Sequence, residues 1–485
     1  MSSSPTTPES NEGQLGLFDA ISIIIGIVIG ASIFHIPNLI FSSANNPWMS
    51  MAVWGFGGLL ALIGALCYAE LATTYPRSGG DYVYLTRAFG PCTGFLFGWA
   101  QLTVVLTASI GAMAHVFSSY ATRLYDLKQM PQFANLGLSS EFLYAGIAIV
   151  FLTLLNIVGV ALGKWTQNLL TLAKVIGLGS ILVAGFFWAQ SSPMDWEPVT
   201  ASNWGWGSLA IILVLYAYGG WNDAAFVAAE VRNRKRNIPL ALILGVGAIT
   251  LIYLLVNAAY LMGLGYETAS RNFGLPALLL KAAWGEAGEK TISILVMISA
   301  LGAVNGLIFT GARVYATLGN DHRLFGWLGH WQPGRRPPIL SLLAQCIITV
   351  GILFALTTDT GHQAINRLLA SLGIQHETTW DPNSGFDTLV SHTAPVFWVF
   401  FLATGLSLFV LREKNPGITR PFSVPLYPVL PMIFCFMCCY MLYQSVIFVG
   451  VRAGLAFCVV LAGLPFFLLS RLIGGPKGET QEQET

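Results

Sequence analysis

The stretch Gly26-Ile27-Val28-Ile29-Gly30-Ala31-Ser32-Ile33-Phe34 lies in the middle of the first long apolar segment of the chain, which runs from Leu15 to about Phe41. Glycine costs an α-helix about 1 kcal/mol relative to alanine. A backbone hydrogen bond that is broken inside a membrane must find another partner. Small residues at the centre of such a segment therefore indicate either a break in a membrane-spanning helix or close packing against another helix.

A second stretch of this kind, Tyr216-Ala217-Tyr218-Gly219-Gly220-Trp221-Asn222, lies inside another long apolar run about 190 residues later. Two interrupted helices in corresponding halves of a membrane protein are the best sequence indication of a transporter's substrate site. One interruption alone would favour simple helix packing, whereas the pair favours a binding site between two broken helices.

The composition excludes a soluble globular enzyme. The chain has 485 residues, of which 55% are hydrophobic and 10% are charged, against about 25% charged in soluble domains. A net charge of +1 gives no bulk attraction to nucleic acid. Residues 1–14 are polar and lack the features of a signal peptide, so we expect a disordered tail followed by a retained first span.

Apolar segments long enough to cross a bilayer recur along the whole chain. They predict an all-α polytopic membrane protein of about twelve helices, embedded in a lipid bilayer. The predicted spans cover residues 16–41, 49–73, 93–121, 141–161, 166–190, 206–231, 238–263, 290–318, 338–357, 389–411, 425–446 and 453–472.

Lysine and arginine in the short loops predict the orientation, because they are enriched on the cytoplasmic side. The denser set of loops places both termini in the cytoplasm and carries Arg77, Arg87, Lys164, Arg232, Arg234, Lys235, Arg236, Arg323, Arg335, Arg336, Arg412, Lys414 and Arg420. On this orientation the long loop from Thr357 to Thr388 is external, either as a lid or as a tolerated surface insertion.

Neither a metal site nor an enzyme active site is predicted. The seven cysteines lie within or at the ends of apolar spans, so no disulfide framework is expected. We find no Gly-x-Ser-x-Gly elbow, no His-Glu-x-x-His motif and no phosphate-binding loop. No cofactor is implied.

Ionisable residues within membrane spans are candidates for function. Some have simple explanations: Glu70 pairing with Arg77, Arg313 extending to the interface, and His115 as a hydrogen-bonded interior histidine. Lys174 in the fifth span and Asp223 after the second interruption are harder to explain in this way, and we treat both as candidates for coupling.

Several motifs resemble those of L-type amino acid transporters, which belong to the amino acid–polyamine–organocation superfamily. They are the stretches Glu70–Tyr82, Tyr216–Asn222, Asn233–Pro239, Asn305–Arg313 and Arg420–Pro428. The likeness extends from about Leu15 to Leu472. It implies two inverted five-helix repeats, residues 15–190 and 206–411, followed by two further helices in residues 425–472 and a cytoplasmic tail in residues 473–485.

The resemblance also implies a site for a free amino acid. The substrate carboxylate would bind backbone amides near Ala31, Ser32 and Ile33, and its ammonium would bind unpaired carbonyls near Ile27, Val28 and Tyr216. Gly219 would allow the substrate to approach the chain closely, and Asn222 and Asn305 match polar positions of the family near the site. The implied substrate-binding residues are Ile27, Val28, Gly30, Ala31, Ser32, Ile33, Tyr216, Gly219, Asn222 and Asn305.

The chain departs from the family pattern in three places. Gly30-Ala31-Ser32-Ile33-Phe34 replaces the usual Gly-Ser-Gly-Ile-Phe, and Asp223 replaces a residue that is usually uncharged. Eukaryotic members carry a cysteine, which links them to a glycoprotein subunit, in the loop that corresponds to Thr122–Ser140. That loop has no cysteine here, so no covalently linked heavy subunit is expected.

Lys174 matches a lysine that, in sodium-independent relatives, places its ammonium where sodium-coupled relatives bind a sodium ion. The resemblance thus implies transport without sodium, with Asp223 as a group that could stabilise the lysine charge. A lysine that extends along its helix to the interface is the alternative. We therefore predict a secondary transporter that moves amino acids by alternating access, through exchange or proton coupling. A membrane sensor that binds an amino acid without net transport is the competing hypothesis.

Overall fold

A computed structural model describes residues 15–30, 32–44, 46–77, 79–130, 138–188, 208–272, 274–330, 338–371, 385–450 and 452–473. Residues 1–14, most of the tail 473–485 and the centre of the loop 357–388 lie outside these ranges, as does Ala31 of the predicted site. The described ranges form helices and no sheet.

The α-helices follow one another as α1 (Leu17–Val28), α2 (Ser32–His35), α3 (Pro37–Ala44), α4 (Pro47–Thr74), α5 (Asp81–Phe89), α6 (Pro91–Ala100), α7 (Leu106–Leu124), α8 (Ser140–Val158), α9 (Val160–Val183), α10 (Ser208–Ala217), α11 (Arg234–Leu264), α12 (Tyr266–Arg271), α13 (Leu275–Asp321), α14 (Ile339–Thr357), α15 (Asp359–Ser371), α16 (Gly385–Lys414), α17 (Val429–Val449), α18 (Arg452–Leu461) and α19 (Gly463–Ile473). A π-helical turn, Gln101–Val105, joins α6 to α7.

In the described part of the chain, 10 helices are long and apolar enough to cross a membrane. Each of them coincides with a predicted span, which confirms the all-α polytopic class. The other two predicted spans, 16–41 and 206–231, are the ones that contain the small-residue stretches, and both are divided into shorter helices.

The first interruption follows α1. Ile29 has a φ of −74° and a ψ of 70°, which is outside the helical region, and the next described helix begins at Ser32. Gly26 has a separate reason to be glycine, because a Cβ atom there would overlap the side chain of Gln167 on α9. The stretch therefore combines the two features that the sequence left open, a helix break and close helix packing.

The second interruption follows α10. Gly220 has a φ of 103°, a conformation that side chains other than glycine rarely adopt, and a 3₁₀-helix, Trp221–Glu230, continues the chain. The two broken segments meet in the core: α1 contacts this 3₁₀-helix, and α9, α11 and α13 pack around α1.

Two expectations about charged residues are wrong. Glu70 is buried and pairs with Arg412, whose Nε lies 2.8 Å from Oε1 of Glu70, whereas Arg77 pairs with Asp321. The carboxylate of Glu70 also accepts a hydrogen bond of 2.7 Å from the backbone N–H of Val424. The ion pair therefore joins α4 to α16 and to the loop before α17, which are distant in sequence.

Arg313 does not extend to the interface. Its side chain is only 2% exposed, its Nε donates to Oε1 of Glu230 at 2.9 Å, and its guanidinium lies 3.7 Å from the ring centroid of Phe309. Beside this pair, the backbone N–H of Leu15 donates to the carbonyl of Glu230 at 2.9 Å. These contacts tie the start of α1, the end of the 3₁₀-helix and α13 together.

Candidate functional site

A cavity of about 130 Å³ lies between the two interruptions. Its walls come from both broken segments and from α7, α13 and α16. The lining residues are Ile27, Val28, Gly30, Ser32, Gln101, Val105, Leu106, Ser109, Met113, Leu215, Tyr216, Ala217, Gly219, Gly220, Asn222, Asp223, Leu307, Val390, Thr393, Ala394, Phe397 and Trp398.

Most of the residues that the sequence nominated lie on this cavity: Ile27, Val28, Gly30, Ser32, Tyr216, Gly219, Asn222 and Asp223. Ile33 is buried but does not line it. Ala31 falls outside the described residues. The two glycine-containing stretches, distant along the chain, thus form one polar and apolar surface of a size suited to a small molecule.

The carbonyl groups at the breaks differ from the expectation that they are unpaired. The Val28 carbonyl accepts hydrogen bonds from the N–H of Gly30 at 2.7 Å and from the hydroxyl of Tyr253 at 2.9 Å. The Tyr216 carbonyl accepts a hydrogen bond from the N–H of Gly219 at 2.9 Å. Hydrogen-bond donors of the protein therefore already reach a carbonyl at each of the two breaks.

Tyr253 is a residue of this region that the sequence reasoning missed. It is fully buried on α11, and its hydroxyl lies 2.9 Å from the Val28 carbonyl and 3.0 Å from the Ala217 carbonyl. One hydroxyl therefore contacts the last residue of α1 and the last residue of α10. A buried tyrosine normally finds a hydrogen-bond partner, but its position in an apolar helix gives no indication of which one.

Lys174 is fully buried on α9, and its Nζ donates to the Gly26 carbonyl at 2.8 Å. A Cβ atom on Gly302 of α13 would lie 3.5 Å from the same Nζ. The ammonium thus sits between α1, α9 and α13. A lysine that extends to the interface is therefore the wrong interpretation.

Asp223 lies on the cavity and is 6% exposed. Its Oδ1 accepts a hydrogen bond of 3.1 Å from Nδ2 of Asn222. No ion pair joins Asp223 to Lys174 in the part of the chain that the structure describes. The idea that Asp223 stabilises the lysine charge by direct pairing is therefore wrong.

Asn305 is fully buried and does not line the cavity. Its Nδ2 donates to Oε1 of Gln167 at 2.9 Å, and its Oδ1 accepts from Nδ2 of Asn156 at 2.9 Å. This buried amide network joins α8, α9 and α13. Asn305 therefore holds helices beside the site.

His115 is buried on α7, and its Nδ1 has no hydrogen-bond partner among the described residues, contrary to the expectation of a satisfied histidine.

No group of three or more His, Cys, Asp or Glu side chains that could hold a metal ion occurs in the described ranges. The chemistry of the cavity thus comes from amide, hydroxyl, carbonyl and carboxylate groups.

Comparison with known proteins agrees with this architecture. A family model described as amino acid permease matches residues 15–464. The b(0,+)-type amino acid transporter 1 of Homo sapiens is 31% identical over 95% of this chain and 88% of its own length. The serine/threonine exchanger SteT of Bacillus subtilis is 28% identical over 94% of this chain and 96% of its own length.

A third relative, the large neutral amino acids transporter small subunit 2 of Homo sapiens, is 28% identical over 96% of this chain and 83% of its own length. All three relatives are named as transporters or exchangers of amino acids, and the matched region contains both interruptions and the cavity between them. The chain is a multi-pass membrane protein similar to L-type amino acid transporters. It therefore belongs to the amino acid permease family, within the amino acid–polyamine–organocation superfamily.

Proposed function

We propose that this protein is a secondary transporter that moves amino acids across the membrane by alternating access, without sodium, through exchange or proton coupling. The observation that carries the proposal is the cavity between two interrupted helices, beside which the buried ammonium of Lys174 already holds a carbonyl of the first break. The cavity supports the assignment of an amino acid as the substrate, and the position of the Lys174 ammonium supports coupling without sodium.

The cavity suits the part that all amino acids share. Helix ends inside a membrane offer backbone amides and carbonyls that can meet a carboxylate and an ammonium without a charged side chain. Ser32 contributes a hydroxyl at the start of α2, and Tyr216 and Gly219 line the cavity at the other break. We assign the backbone of the amino acid to the space between these groups, with Gly219 leaving room for it.

Lys174 supports independence from sodium. Sodium ions are bound by oxygen ligands, and carbonyls at broken helices are typical ones. Here the Gly26 carbonyl already accepts a hydrogen bond from a side chain that is covalently part of the protein. The ammonium can brace α1 against α13 through every cycle, so a metal cation is not needed there for the same packing.

The orientation with both termini in the cytoplasm is part of the proposal. The structure brings together groups from the loops rich in lysine and arginine: Arg77 pairs with Asp321, Arg234 donates to the Pro76 carbonyl, and Leu15 pairs with the chain at Val231. This clustering supports a single cytoplasmic face in the cell membrane. We also propose the two repeats, 15–190 and 206–411, and function without a covalently linked heavy subunit, because residues 122–140 contain no cysteine.

Uptake of a panel of labelled amino acids into proteoliposomes tests the function. We expect saturable uptake that is unchanged when choline replaces sodium, and that depends on internal amino acid or on a pH gradient. Lys174→Ala should lose transport or its coupling. Lys281→Ala removes a cation whose side chain is 57% exposed and is the matched control that should behave as the wild type.

Three results would contradict parts of the proposal. A strict sodium requirement in the wild-type protein would remove the role assigned to Lys174. Full activity of Lys174→Ala with an unchanged pH dependence would do the same. Saturable binding of an amino acid without any uptake or exchange would instead indicate a sensor.

A further inference from the structure

We propose that Asp223 makes this cavity selective for amino acids whose side chain carries a positive charge, such as lysine, ornithine and arginine. This inference rests on the proposed function, because it assigns a substrate class to the same cavity. It follows from the charge of the cavity wall, from the open hydrogen-bond acceptors beside Asp223, and from the absence, among the residues that the structure describes, of a cation that pairs with it.

The cavity wall carries one charged side chain, that of Asp223, among the described residues that line it. The other polar lining side chains are neutral amides and hydroxyls, including those of Gln101, Ser109 and Thr393. An amino acid with a neutral side chain is a zwitterion and adds no net charge, so it would leave this wall charge unbalanced. An amino acid with a cationic side chain carries a net positive charge, which balances the negative charge of Asp223.

Hydrogen-bond acceptors are available at this place. A carboxylate offers about four lone-pair positions, and the hydrogen bond from Asn222 Nδ2 uses one of them. The remaining atom of that amide, Oδ1 of Asn222, is buried and has no hydrogen-bond partner among the described residues. Two adjacent residues on the cavity thus present acceptors without matching donors, which is the pattern that an ammonium or a guanidinium satisfies.

The nearby charges do not compensate Asp223. Among the described residues, the buried cations of this region are engaged elsewhere, since Lys174 is bonded to the Gly26 carbonyl and Arg313 is paired with Glu230. A buried carboxylate is costly unless it is paired and hydrogen-bonded, so the missing cation is assigned to the substrate.

The remaining wall fits the aliphatic part of such a substrate. Leu307, Phe397 and Trp398 line the same cavity as Asp223. The methylene groups of a lysine side chain can pack on apolar surface while the charged end reaches a polar group. The cavity therefore offers a backbone site at the breaks, an apolar wall for the stem and a carboxylate for the terminal cation.

Lysine and norleucine are the probes that test this assignment, because they share a linear aliphatic stem and differ in the terminal ammonium. Dissociation constants are measured by competition against a labelled substrate of the purified full-length protein. We expect the wild type to bind lysine at least about 10-fold more tightly than norleucine. Asp223→Asn should weaken lysine binding by about 10- to 100-fold and change norleucine binding by less than about 3-fold.

Two further variants control the result. Asp223→Glu keeps the charge and should keep the preference for lysine. Glu267→Gln removes a carboxylate that is 78% exposed at the protein surface and should leave both constants unchanged. If Asp223→Asn is not monodisperse in gel filtration, the ratio of the two constants in the wild type and in Asp223→Glu decides the question.

Equal weakening of lysine and norleucine by Asp223→Asn would overturn the proposal, because it would make Asp223 a ligand of the α-ammonium that all amino acids share. A wild-type preference for norleucine, or no preference, would overturn it as well. Failure of the proposed function is a different result: the wild-type protein would then transport neither lysine nor any neutral amino acid of the panel.

Discussion

Replacement of Tyr253 by phenylalanine tests whether one buried hydroxyl holds the two helix breaks in register. The hydroxyl lies 2.9 Å from the Val28 carbonyl and 3.0 Å from the Ala217 carbonyl. Its single hydrogen can be donated to only one of them at a time. In either arrangement, α11 is attached to the end of a broken segment.

The expected magnitude follows from what the variant leaves behind. The ring stays buried between Trp54 and Tyr218, whose ring centroids lie 5.2 and 5.1 Å away, so the packing is preserved. One hydrogen bond is lost, and its acceptor remains in a buried place, which costs about 1–2 kcal/mol. If this cost falls on the arrangement that binds substrate, the dissociation constant rises by about 5- to 30-fold.

Tyr260→Phe is the matched control on the same helix. Tyr260 is also fully buried, but its hydroxyl has no hydrogen-bond partner among the described residues. Removing a hydroxyl without a protein partner should be neutral or slightly stabilising. Both variants are purified, their melting temperatures are measured, and their affinities for a transported amino acid are compared with that of the wild type.

Of the two variants, only Tyr253→Phe should bind the substrate more weakly and melt at a lower temperature than the wild type. Equal affinities and equal melting temperatures of Tyr253→Phe and Tyr260→Phe would refute the role given to the Tyr253 hydroxyl. A loss of stability in Tyr253→Phe with wild-type affinity would show that the hydroxyl supports the fold but not the binding geometry.

Two further predictions concern the cavity and the helix packing. Gly219→Leu should abolish substrate binding and leave expression intact. Gly219 lines the cavity, and a Cβ atom there would lie 3.1 Å from the Tyr216 carbonyl, so a larger side chain would take up space in the cavity. The control variant Gly247→Leu, at a position with no atom within 4 Å of a Cβ, should bind substrate as the wild type does. Glu70→Gln should shorten the half-life of the folded protein on heating, because it leaves Arg412 without its carboxylate partner. Breaking a buried ion pair costs about 3 kcal/mol. Unchanged thermal stability would contradict the role given to this pair.

The sequence alone determined the class of the fold and the places where it breaks. Long apolar segments can only be membrane helices, because backbone groups in hydrocarbon must be satisfied internally. Glycine is costly in a helix, so glycine at the centre of a span marks a break or a close approach. Both stretches contain such a break, and Gly220 adopts a φ of 103° at the second one.

Only the tertiary structure decided which side chains meet. The Tyr253 hydroxyl and its acceptor at Val28 are separated by 225 residues, and the ion pair of Glu70 with Arg412 spans 342 residues. Such partners depend on how each helix is rotated against its neighbours. In a membrane, a lipid-facing surface is as apolar as a packed one, so hydrophobic periodicity does not specify that rotation. The resemblance nominated Asn305 for the substrate site, but only the structure shows that its side chain does not line the cavity and bonds to Asn156 and Gln167 on neighbouring helices.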